Sequence, residues 1–255
     1  MNNTQRGDVL LIPIFLAEEV RAGDSLIELL WKAVGQTELV LQEGDVLVVK
    51  HKIVSKAEGR IVPLAKVRTS PASRHWAEKY GLDARVTEVA LSQSNRIVRR
   101  KNGVMITETE HGFVCANSGV DVSNVDGGQH ALLLPKNPDL SAQRLHLGLK
   151  KKTQLSIPVI ITDSFGRPWR EGLTEAAIGV AGIKALRDYR GQLDPHGYPL
   201  RVSLEAVADE LACAAGLVCG KLERTPACII RGFKYQPGRG TARDLVRSAA
   251  TDLFR

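Results

Sequence analysis

The apolar run 155–161, followed at once by Thr162-Asp163-Ser164-Phe165-Gly166-Arg167-Pro168-Trp169-Arg170, constrains this chain more than any other stretch. The run carries several β-branched residues and reads as a buried strand. The polar stretch reads as the loop leaving its end, because Gly166 and Pro168 turn the backbone. Asp163 beside Ser164 offers two oxygens to a hard cation. Arg167 and Arg170 offer planar forks to phosphate or carboxylate oxygens. The competing reading is an Asx turn flanked by surface arginines, and this stretch alone leaves both open.

Further strands are expected over 8–14, 46–49, 131–134 and 226–231. Ser25 with Glu28 signals a capping box at a helix start, and Ser70-Pro71 opens a helix that Gly81 ends. A short helix or strand covers 85–91, and Asp139 caps a helix running to about Lys152. Ser203 caps a helix over 204–219, which Gly220 ends, and a short helix covers 242–254. The segment 174–186 reads as a helix or a packed Gly/Ala-rich stretch. Asn102-Gly103 marks a hairpin. Elements interspersed without regular βαβ units give the α+β class, with mixed, largely antiparallel sheets and packed helices. We expect one unit over 1–255. There is no GxGxxG motif and no GxxxxGK[ST] phosphate loop.

At 44% hydrophobic and 25% charged residues, the composition is that of a soluble globular protein. No run is long enough to span a membrane, and the first residues lack a signal-peptide core, so the expectation is a cytoplasmic protein with no membrane partner. Cys115, Cys213, Cys219 and Cys228 form no CxxC pair and have apolar neighbours, which suits buried free thiols. The net charge of +7 suits small polyanions as well as nucleic acid. With 5% aromatic residues and no RNP-like pattern, a nucleic-acid partner is not expected.

The strand at 46–49 runs into His51, Lys52, Ser55, Lys56 and Arg60, a dense set of anion-binding groups. An exposed edge strand with its lysines outward is the structural alternative. Asp121 lies in a second oxygen-rich loop with Asn117, Ser118, Ser123 and Asn124, either as a metal ligand or as a turn former. Asp209 and Glu210 fall off the apolar stripe of their helix and read as a solvated face. Two aspartate loops at strand ends, ringed by cations, describe a site for nucleotide phosphates bridged by a divalent cation. Asp163 is the candidate catalytic residue that holds the cation. Arg167 is the candidate that neutralises charge developing in transfer.

Long segments bear a family resemblance: His51-Lys52-Ile53-Val54-Ser55-Lys56-Ala57-Glu58-Gly59-Arg60, the stretch His111-Gly112-Phe113 to Asp121, and Asp163-Ser164-Phe165-Gly166-Arg167-Pro168-Trp169-Arg170. With 177–183, 187–191, 206–211 and the closing 252–255, they resemble the coenzyme F-420-0:L-glutamate ligase family. The resemblance implies a GTP-dependent ligase that adds L-glutamate to the lactyl carboxylate of F-420-0 through an acyl phosphate, then adds γ-linked glutamates. It implies that Asp121 and Asp163 hold one Mg²⁺ or Mn²⁺ and Ser164 helps hold a second, with K⁺ as a candidate monovalent ion. His51, Lys56 and Asn124 would contact GTP, as would the segment Ile12-Pro13-Ile14-Phe15 and the stretch beginning Gly220-Lys221. Lys221 stands where family members can carry Gln or Glu, and a protonated lysine cannot ligate a metal. The family fold is an interlocked α+β homodimer. Two alternatives stay open: a ligase of this fold acting on another acceptor acid, and a basic RNA-binding module.

Overall fold

The computed structural model describes residues 7–123 and 125–252. In chain order these form β1 (Leu10–Ile14), α1 (Leu26–Gly35), β2 (Val46–Lys50), α2 (His51–Ala57), β3 (Ile61–Pro63), α3 (Pro71–Tyr80), α4 (Ala84–Ser92), β4 (Ser94–Lys101), β5 (Val104–Thr109) and β6 (Val114–Ala116). They continue through β7 (His130–Leu132), α5 (Pro138–Thr153), β8 (Val159–Arg167), β9 (Arg170–Ala181), β10 (Arg187–Asp188), β11 (Leu204–Glu205), α6 (Val207–Gly216) and β12 (Ala227–Arg231).

Aliphatic segments far apart in sequence pair into one five-stranded sheet of order β1-β12-β2-β8-β9. Every pairing is antiparallel except β2 with β8. Val46, Val48, Val49, Ile160 and Ile161 are buried, as strands covered on both faces must be. The parallel register runs from Leu47 opposite Val159 to Lys50 opposite Thr162, so β2 ends beside the middle of β8. The polar residues collect at that level of the sheet.

Both α5 and α6 pack on β9. Gly179 permits the close approach of α5, because a Cβ there would lie 2.4 Å from the Pro138 carbonyl oxygen. Asp139 then ties three pieces together: it accepts the Val180 N–H at 2.8 Å and the Ala242 N–H at 2.9 Å. Smaller sheets, β3–β7 and β4–β5–β6, flank a second core of Leu64, Val89, Ala131 and Leu133.

The α+β class and the largely antiparallel pairing are as expected, and so are α3, its Gly81 stop and the hairpin at Asn102-Gly103. Several local expectations are corrected. The stretch 162–167 is not a loop: β8 starts at Val159 and continues through it, and the chain turns only at Pro168-Trp169, because β9 supplies ladder partners to Arg167. Of the two readings of 174–186, the packed Gly/Ala-rich stretch holds and the helix does not: residues 174–181 belong to β9, where α5 comes close. Residues 51–57 are helix rather than an edge strand. Asn137, not Asp139, caps α5, accepting the Leu140 N–H at 3.0 Å. Ser203 does not cap α6, which starts at Val207 because Leu204–Glu205 pairs with β10. The Ser25 side chain makes no cap bond to α1. The terminal helix is two short 3-10 turns, Ala242–Leu245 and Ala249–Thr251, and residues 253–255 lie outside the described residues. All four cysteines are free, but Cys213 is exposed. Among the described residues no helix is long and apolar enough to cross a membrane.

Candidate functional site

Lys50 ends β2 opposite Thr162, and the next residue of each strand carries the chemistry. His51 opens α2 and is buried, its Nε2 3.2 Å from Oδ1 of Asp163. The contact lacks the alignment of a hydrogen bond. Nδ1 of His51 lies 3.3 Å from Oγ of Ser55, one helical turn on, which fixes the ring. Asp163 Oδ1 also accepts the backbone N–H of Ser164 at 2.7 Å.

The second carboxylate comes from the segment before β7. Asp121 accepts the Ser123 N–H at 2.6 Å and forms an ion pair with Lys52 at 2.7 Å. Burial pushes its carboxyl up, but the bonds from Lys52 and Ser123 outweigh that and hold it below the usual range. Lys52 also donates to Ser123 Oγ at 2.8 Å. Lys56, one turn further along α2, pairs with Glu19.

Glu175 on β9 stands opposite Ser164 across the hairpin. Its Oε1 accepts the Ser164 hydroxyl at 2.7 Å and its Oε2 the Thr162 hydroxyl at 2.8 Å, and Lys50 forms an ion pair with it.

These elements enclose a cavity of about 890 Å³, within the range of small-molecule sites. Of the residues singled out in the sequence, His51, Lys56, Asp121, Asp163, Ser164, Gly220 and Lys221 all line it. Asp121 makes the bond of a turn former, to the Ser123 N–H, and elements remote in sequence also bring it and Asp163 to one space. Ile12, Pro13 and Ile14 do not line it, since β1 pairs them with β12, and Phe15 is exposed. Leu16 and residues 18–22 form that wall instead. Arg167 also lies outside the lining and donates to the Glu171 carbonyl at 3.2 Å. Arg60 is structural, bonded to the Leu134 carbonyl at 2.9 Å and to Gln93. Asp209 is not on a solvated face: it accepts the Ala177 N–H at 2.8 Å, and burial pushes its carboxyl up. Asn124 lies outside the described residues. Sequence reasoning missed Glu175 and Lys50. Alternation along 170–181 would have placed Glu175 on a strand, but its Gly and Ala content hid it.

The lining oxygens of Asp121, Asp163, Thr162 and Ser164 form a hard donor set. Among the described residues no three His, Cys, Asp or Glu side chains form a self-sufficient metal cluster. A set of two carboxylates with hydroxyls fits Mg²⁺ or Mn²⁺ that completes its shell with water and substrate phosphate oxygens. Lys50, Lys52, Lys56 and Arg224 bring positive charge to the same cavity.

The F420-0:Gamma-glutamyl ligase family model matches residues 16–232, beginning just beyond Ile12–Phe15. The chain is 43% identical over 248 residues to the coenzyme F420:L-glutamate ligase of Methanopyrus kandleri, covering 95% of this chain and 96% of that protein. It is 42% identical to the protein of the same name in Methanothermobacter thermautotrophicus, covering 92% and 94%. The relative of that name in Methanocaldococcus jannaschii is 43% identical over 216 residues, covering 84% and 86%.

Proposed function

Because the chain belongs to the F420-0:gamma-glutamyl ligase family, we propose that it joins L-glutamate to F-420-0, with GTP as phosphoryl donor, and then extends the product through γ-linked glutamates. The observation that carries this reading is that the two aspartates and the α2 lysines, all drawn from segments that resemble the family, line one cavity.

In this reading the lactyl carboxylate oxygen of F-420-0 attacks the γ-phosphorus, the bond to the β-bridging oxygen breaks, and GDP leaves. The glutamate amine attacks the resulting acyl phosphate, phosphate departs with the bonding electrons, and the amine proton passes to solvent. A free carboxylate is a poor electrophile, and phosphoryl transfer gives it a leaving group. Asp121 and Asp163 would hold one divalent cation and Ser164 would help hold a second, supplying charge neutralisation at the phosphate oxygens. Lys52 and Lys56 sit on one face of α2, where they can exchange their carboxylate partners for phosphate. His51 faces the Asp163 carboxylate from the buried side, and the Ser164 N–H holds that carboxylate in place. Lys221 contributes charge rather than ligation. We extend the proposal to an interlocked homodimer and to K⁺ as a monovalent ion.

The test is incubation of the purified chain with F-420-0, L-glutamate, GTP and Mn²⁺, read by mass spectrometry. Products heavier by one or more glutamyl units are expected, with GDP formed only when both substrates are present. Asp163→Asn should lower turnover by roughly 100-fold or more, the scale of charge stabilisation lost with a metal ligand. Metal-dependent GTP binding without product would move the reading to another acceptor acid.

A further inference from the structure

Glu175 does not line the cavity, yet three donors from the cavity wall converge on it. Its side chain is 9% exposed. An ionised carboxylate only accepts, so both hydroxyls must spend their single proton on it. Each hydroxyl oxygen then has only lone pairs left for its other directions. Ser164 lines the cavity and Thr162 lies buried at its wall, so lone pairs are all that these hydroxyls can offer there. We propose that Glu175 is a positioning residue: it fixes the Ser164 hydroxyl, with Thr162 beside it, as a cation acceptor rather than a donor. The inference rests on the reading of Ser164 as a cation ligand.

Two features of the fold look built around this role. Lys50 neutralises Glu175, so orienting the hydroxyls adds no net charge to the site. Gly216, the last residue of α6, leaves room for the side chain: a Cβ there would lie 2.7 Å from the Glu175 Cγ. Supporting groups behind a metal ligand orient it and tune its basicity.

The experiment is a Mn²⁺ titration of the full-length chain with GTP present, following free Mn²⁺ by electron paramagnetic resonance. Glu175→Ala should weaken Mn²⁺ binding by roughly 10–100-fold, the usual cost of losing an orienting partner. Glu175→Gln keeps a carbonyl acceptor and should weaken it less. In a Ser164→Ala background, Glu175→Ala should add nothing further, because the group it orients is gone. Gly216→Ala alters no site residue and should reproduce part of the loss, which keeps the test alive if Glu175→Ala does not fold. Unchanged affinity in folded Glu175 variants, or losses that simply add in the double variant, would overturn the inference and leave the cation site standing. Absence of Mn²⁺ binding by the unaltered chain would overturn the cation site, and the inference with it.

Discussion

At the scale of single residues, Lys50, Lys52 and Lys56 on the cavity wall each have a carboxylate partner within the protein. Lys52 holds Asp121 and Lys56 holds Glu19, so a phosphate arriving here competes with a carboxylate for each ammonium. Lys56 has its partner on a segment of the cavity wall, and its removal leaves Glu19 exposed to water. Lys56→Ala should therefore weaken GTP binding by roughly 10–100-fold, the scale of a charge-assisted hydrogen bond. Its thermal midpoint should move little, because Glu19 is exposed and stays solvated when the lysine is gone. Calorimetric titration beside a melting curve checks both, and unchanged nucleotide affinity would return Lys56 to a purely structural pairing. Asp209 behaves oppositely. Its carboxyl is raised chiefly by burial, above the ordinary value of 3.8. A raised group contributes stability that is fully present below its unfolded value and lost as pH rises through its folded value. Asp209→Asn keeps an acceptor for the Ala177 N–H and carries no charge. It should raise the urea midpoint at pH 7 and flatten the stability profile above about pH 4.

At the scale of elements, the site depends on how α5 and β9 meet. A Cβ at Gly179 would lie 2.4 Å from the Pro138 oxygen and 2.6 Å from its carbon, and backbone atoms at a helix start cannot swing aside. Gly179→Ala should destabilise the fold by about 1–3 kcal/mol, the usual cost of overpacking, seen as a lower urea midpoint at unchanged slope. The same contact explains what could be read in the sequence. Elements whose signals are local were legible: the Ser70-Pro71 start and Gly81 stop of α3, the Asn102-Gly103 hairpin, and the aliphatic strands. For β9 the close packing of a Gly/Ala-rich stretch was legible but its strand form was not, because those residues answer to a helix packed on it from elsewhere, and propensity sees only neighbours in sequence. For that reason Glu175 stayed hidden while Asp121 and Asp163, each following an apolar run, stood out. The basic groups of α2 stood out as a dense set and line the cavity, although their helical form was not legible. Ile12–Phe15 and Arg167 show the converse: suitable residue types whose pairing or hairpin position keeps them off the cavity lining.

At the scale of the whole molecule, one parallel strand pair in an otherwise antiparallel sheet turns these local features into a coupled site. The end of β2 beside the middle of β8 sets Lys50, His51, Thr162 and Asp163 side by side, and β9 backs them with Glu175. Asp121 arrives on the segment that bridges to Leu132, and it is held there by Lys52. A divalent cation at Asp121 would compete with Lys52 for the carboxylate, and the released ammonium would then be available to phosphate. Nucleotide and cation should therefore assist one another beyond their direct contact. We expect Mn²⁺ to tighten GTP binding by roughly 5–150-fold, and GTP to tighten Mn²⁺ binding by the same factor, since coupling between equilibria is reciprocal. In melting curves, the shift with both ligands at about 100 times their dissociation constants should exceed the sum of the shifts with each alone, where a single ligand contributes about 2.7 kcal/mol. Lys52→Met should remove part of this coupling, because Asp121 would then be free without the cation. Strictly additive shifts in the unaltered chain would mean that the two ligands occupy the cavity independently and that the Lys52–Asp121 pair is a static brace.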